Sequence, residues 1–135
     1  MPRVFRVMRK DADDLPTVSP TSLGVRPGKD VDLDAQNNVL VNGKGMSVAP
    51  NWREINIHRI PKRLRTLLPG AAGSNSWSCF RIGVGPFQRG DFANGLTLEL
   101  DSTTHGVVAP AQIVPLATYE GDIAATRPQW QVDET

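Results

Sequence analysis

The chain has 135 residues, 39% of them apolar and 21% charged, with a formal net charge of +1 and one cysteine, Cys79. A chain of this length builds a single core. Near-neutral charge excludes a global field that draws nucleic acid or a membrane surface, and a lone cysteine excludes both an internal disulfide and a multi-thiolate zinc site.

In the N-terminal run MPRVFRVMRK no continuous apolar stretch of a secretory signal is present, and nothing in the chain approaches the ~18 apolar residues that span a bilayer. The expectation is a cytoplasmic domain without membrane insertion, which another machine carries if it leaves its cell. Val4, Phe5, Val7 and Met8, set between Arg3, Arg6 and Arg9, predict an opening strand. Residues 11–28 carry loop chemistry with one irregular turn, in a loop long enough to be functional. Residues 31–41 alternate apolar with polar around an Asn-rich turn and predict a β-hairpin. After the flexible link Asn42-Gly43-Lys44-Gly45, Met46-Ser47-Val48 makes a short strand that Pro50 breaks, so Ser47 stands just behind a glycine loop.

Pro61 suits the first position of a helix, which predicts a short helix over 61–67. The small residues of 70–76 predict the most mobile loop of the chain. A strand follows over 77–84 with Phe80 and Ile82 in the core, and another over 96–100, where Thr97 and Glu99 face away from Leu96, Leu98 and Leu100. Val107, Val108, Ile113 and Val114 end the β-rich part; Leu116, Tyr119 and Ile123, at helical spacing, predict a terminal helix that stops near Pro128. The scattered 12 Gly and 11 Pro fit many short elements joined by turns. The whole reads as one α+β domain over 1–135.

Several residues carry candidate chemistry. The Arg6 guanidinium fork suits two phosphate oxygens, with a plain surface arginine as the alternative. Ser47 sits where backbone N–H groups can converge on a ligand, or in an ordinary turn. His58 and Arg59 precede Pro61, and Lys62, Arg63 and Arg65 complete the most basic stretch, either a solvated face or a patch for an acidic partner. His105, after Thr103 and Thr104, can bond a ribose hydroxyl or transfer a proton, or else satisfy a carbonyl. Glu99 on its strand offers a carboxylate for an oxocarbenium-like centre. Cys79, between Ser78 and Phe80, reads as core rather than as a nucleophile served by His58 or His105. Neither a Walker pattern nor a GxGxxG after a strand is present.

Three stretches resemble the toxin family typified by the NAD-linked, ADP-ribosyltransferase-like effector of type VI secretion systems. They are Val4-Phe5-Arg6-Val7, then Gly24-Val25, Pro27, Asp30-Val31 and Val39-Leu40 leading to Gly45-Met46-Ser47-Val48, and finally Thr104-His105 followed by Pro110-Ala111. Lys44 and Met46 depart from the family pattern, as does much of the chain between Ser47 and His105. The resemblance implies an ADP-ribosyltransferase-like split β core of two small packed sheets with few short helices, and a cytotoxin acting inside a target cell. It implies NAD as substrate, ADP-ribosyl transfer or NAD cleavage, and a cognate immunity protein or antitoxin that neutralises the toxin. By resemblance Arg6, Ser47 and His105 form the site. The resemblance assigns no catalytic carboxylate; Glu99 joins them in that role from its place on the strand and not from a motif match, with His58 as a cofactor contact and Trp52 or Trp77 as the ring that stacks. The rival from another class is a non-catalytic toxin or interaction module acting through the basic 58–65 stretch.

Overall fold

The computed structural model describes residues 1–135. The opening strand, β1 (Val4–Arg9), is buried on both faces over most of its length. Val4 and Met8 enter the larger hydrophobic cluster of the protein, and Phe5 and Val7 enter a smaller one with Trp52, Ile60 and Cys79. Arg6 therefore stands on the larger cluster's side, between two core residues. The irregular turn expected within 11–28 is a capped helix, α1 (Pro20–Leu23). The Ser19 hydroxyl accepts from the Ser22 N–H, Pro20 needs no donor at its position, and Gly24, at φ 67°, ends the turn in the left-handed region.

Two short strands follow, β2 (Asn38–Val39) and β3 (Met46–Val48), then 3-10 turns at Trp52–Glu54 and Lys62–Leu64. β4 (Trp77–Ile82), β5 (Gly90–Asp91), β6 (Leu96–Leu100), β7 (Gly106–Pro110) and β8 (Val114–Pro115) lead to the helix α2 (Leu116–Ala125). A 3-10 turn at Arg127–Gln129 precedes β9 (Gln131–Val132). No helix is long and apolar enough to cross a membrane.

The architecture is mixed α+β, mostly strands in small sheets with few helices. One sheet has the order β1-β4-β9, a second β3-β7-β6-β5, and β2 pairs with β8 alone; every pairing is antiparallel. The two larger sheets share the main core and meet along one edge. There Phe5 and Ala49 exchange both backbone hydrogen bonds, at 2.8 and 3.0 Å, in an isolated bridge. Beyond that bridge β1 and β3 part.

Three expectations need correction. Residues 31–41 keep only a Leu33–Val39 bridge of the expected hairpin, and the longer pairing of Asn38 and Val39 is with Pro115 and Val114, across the chain. The expected helix over 61–67 is a single 3-10 turn, because the chain doubles back and Gly73 bonds on both sides of Pro61: Lys62 N–H donates to its carbonyl and its own N–H donates to Ile60. The 70–76 loop is held in place for the same reason, with Ala71 fully buried.

Candidate functional site

Where β1 and β3 part, a cavity of about 320 Å³ opens, floored by Arg6 and walled by α1, Arg26, Asp30, Ser47 and Trp77. Arg6 is only 7% exposed. Its Nε and Nη2 donate to the Ser22 carbonyl at 3.3 and 3.1 Å, and Nη1 donates to the Ser47 carbonyl at 2.9 Å. All three bonds go to neutral carbonyls, and two of the fork's five N–H remain without an acceptor in the protein. Burial, with Arg59 nearby, lowers the Arg6 pKa to about 10. Gly24 makes the seat possible: a Cβ there would fall 2.5 Å from Arg6 Nη2 and 2.8 Å from Cζ.

The cavity carries four arginines, Arg6, Arg9, Arg26 and Arg59, against one carboxylate, Asp30. Asp30 is already committed, accepting from the Arg26 N–H and Nε at 2.8 Å each. Burial opposes its ionisation, yet these Arg26 bonds hold it below the ordinary carboxylate range. The Ser22 hydroxyl oxygen is buried with no hydrogen-bond partner. A concave site with excess fixed cation and two unused guanidinium N–H donors has the chemistry to accept an oxyanion.

A second cavity of about 210 Å³ adjoins the first, with Arg6, Val7, Ser47 and Arg59 lining both. Its far wall holds Glu54, Asn56 and His105. His105 Nδ1 lies 2.8 and 2.9 Å from the two Asp101 oxygens, and no protein group bonds Nε2. β3 owes its position to α2. The buried Tyr119 hydroxyl donates to the Val108 carbonyl at 2.6 Å and accepts from the Met46 N–H at 3.1 Å, next to Ser47. Gly45 permits this, since a Cβ there would sit 2.6 Å from the Val108 oxygen and 3.0 Å from the Tyr119 hydroxyl.

Arg6, Ser47 and His105 thus converge on one pair of cavities, while other expected members lie elsewhere. Glu99 shares a cross-strand row with Val107 and Ser47 and faces the same side of the sheet. Two strand spacings, roughly 10 Å, separate it from Ser47, and it pairs with Arg89 at 2.8 Å beside a different cavity of about 380 Å³. The carboxylate that lines the second cavity is Glu54, which no motif singles out. Trp52 is 1% exposed, packed in the smaller cluster with Nε1 donating to the Thr135 carbonyl, so it is not free to stack on a ligand. Trp77 is the ring at the cavity wall, with the Arg59 guanidinium 5.5 Å from its centroid. His58 is exposed and lines neither cavity.

The basic stretch is largely engaged. Arg63 pairs with Glu134 and donates to the Trp77 carbonyl, and Arg65 donates to the Ala71 carbonyl. Arg59 turns to the cavities, which no pattern in the sequence marked. Cys79 is fully buried, and burial, with Glu134 nearby, pushes its thiol up to about 12, which suits a core residue and not a nucleophile. Compared with known proteins, the chain matches no family model, no curated protein sequence and no solved structure.

Proposed function

We propose that this chain is a bacterial toxin domain with an ADP-ribosyltransferase-like split β core, which binds NAD in the paired cavities and breaks the bond between nicotinamide and ribose. The single observation that carries the reading is Arg6: a buried cation without a carboxylate partner, with two unused N–H donors, at the point where two sheets separate. A dinucleotide offers what such a residue lacks, a diphosphate of two adjacent negative charges. The phosphates sit against Arg6 and Arg59, and the nicotinamide ribose lies in the second cavity near Ser47 and His105. Trp77 supplies the stacking face.

In the reaction the C1′–N bond breaks with its electron pair leaving on nicotinamide, and the sugar passes through an oxocarbenium-like state. Glu54 is the carboxylate available to stabilise that charge from the cavity wall. An acceptor oxygen or nitrogen, of water or of an intracellular target, then bonds to C1′ and gives up a proton. Delivery into the target cell by a secretion machine and neutralisation by a cognate immunity protein belong to the same proposal. An acidic side chain of that partner, inserted into the cleft, would meet Arg6.

The test is release of nicotinamide from NAD by the purified protein, read by chromatography, alongside growth of a bacterial host on induction. Wild type is expected to release nicotinamide and arrest growth. Arg6→Ala, Ser47→Ala and Glu54→Gln are expected to lower release by about 10²-fold or more while keeping their circular dichroism. Growth arrest with no NAD loss, unaffected by Arg6→Ala, would sink the enzymatic reading and favour a toxin that acts by binding.

A further inference from the structure

The β6–β7 turn holds Asp101 and His105 against one another. Asp101 N–H and Ser102 N–H both donate to the His105 carbonyl at 3.3 Å, and Thr104 N–H donates to the Ser102 hydroxyl at 3.2 Å. These bonds fix the backbone of both members. Across the turn both Asp101 oxygens then reach His105 Nδ1, at 2.8 and 2.9 Å. An ionised carboxylate only accepts, so in the neutral ring the proton sits on Nδ1 and the lone pair is left on Nε2. His105 lines the second cavity, while Asp101 lines the cavity of about 380 Å³ beside Glu99.

We propose that Asp101 is the positioning residue of His105, holding its tautomer and ring orientation so that Nε2 stands in the second cavity as the acceptor of the proton released in the transfer step. This rests on the NAD reading above. The acceptor O–H or N–H gives its proton to Nε2, its lone pair forms the bond to C1′, and the pair of the C1′–N bond leaves with nicotinamide. The Asp101 carboxylate faces the cation that forms on the imidazole and touches no reacting atom. The other charged groups lining that cavity are Glu54, Arg59 and Arg6. Neither arginine can accept a proton, which leaves His105 and Glu54 to divide the proton and the oxocarbenium charge between them.

The chain has 2 histidines, so long-range ¹H–¹⁵N spectra read each ring separately, with His58 as internal reference. With both rings neutral, wild-type His105 is expected in the Nδ1–H form. Asp101→Ala is expected to shift it to Nε2–H and to lower kcat for nicotinamide release about tenfold with KM for NAD unchanged. Asp101→Glu is expected to recover part of both. His105 in the Nε2–H form in the wild type, or a wild-type kcat in Asp101→Ala, overturns the proposal alone. Absence of NAD cleavage by the wild type overturns it together with the reading it rests on.

Discussion

At the scale of single residues, Arg6 decides the most. Its guanidinium is lowered from the ordinary arginine range to about 10 here, by burial first and by Arg59 second. Below pH 10 the group is charged both folded and unfolded, so the folded protein bears the full desolvation penalty there. The penalty is relieved as pH rises above about 10, where the unfolded chain binds the extra proton. An anion against Arg6 offsets the same penalty. Pyrophosphate at a hundredfold excess over its Kd is therefore expected to stabilise the protein by about 2.7 kcal/mol at pH 7, a rise of roughly 3 °C in Tm for each kcal/mol. The rise should fade as pH passes through 10 and should be lost in Gly24→Ala, whose added carbon takes the place of the Arg6 fork. Thermal scans with and without pyrophosphate decide it; a Gly24→Ala protein that keeps the full shift would put the anion elsewhere. The arginine could be picked out of the sequence by its place among apolar residues on the first strand. Its seat could not, because the carbonyls of Ser22 and Ser47 come from two distant segments.

Among the elements, the terminal helix has a task beyond filling the core. Tyr119 and Ile123 were readable as its buried face from their spacing, and both are fully buried. That the Tyr119 hydroxyl would wedge between β3 and β7 was not readable, since it depends on Gly45 lying close against the Val108 carbonyl. Burial raises the Tyr119 phenol well above its ordinary range, so it stays a hydroxyl donor wherever the protein is folded. Tyr119→Phe leaves the Val108 carbonyl and the Met46 N–H without this partner and is expected to cost about 1–3 kcal/mol, measured by urea unfolding. Faster hydrogen exchange at Met46 should accompany it, because the start of β3 loses its tie to the helix. The basic run shows the opposite case: its sequence reads as an open face, yet Arg63 and Arg65 hold backbone carbonyls and Glu134. Charge reversal at those two positions disturbs the fold, so Lys62 and His58 are the cleaner places to test that face as a contact surface.

For the whole molecule, β1 and β4 both contribute to the two hydrophobic clusters, with Val4, Met8, Phe80 and Ile82 in the larger and Phe5, Val7 and Cys79 in the smaller. Trp52 lies in the smaller cluster and Trp130 in the larger, so their indole N–H resonances report the two halves without any substitution. Both are expected to disappear at one denaturant concentration, as for a single cooperative unit. Two midpoints would show that the smaller cluster unfolds by itself. The strands β1, β3, β4 and β6 and the helix α2 were legible because their patterns are local. The pairing of β2 with β8, the split between β1 and β3, and the placing of Glu54 rather than Glu99 at the cavity were not, since each depends on which distant segments meet. The placing of Arg6 also sets how the cleft responds to ionic strength. Arg9 and Arg59 are exposed, and mobile ions screen such charges over about 8 Å in physiological salt. Arg6 is largely buried, and such a charge is screened much less. Added chloride should weaken capture of an anionic ligand down to a plateau and no further, and that salt-resistant remainder measures the one buried arginine.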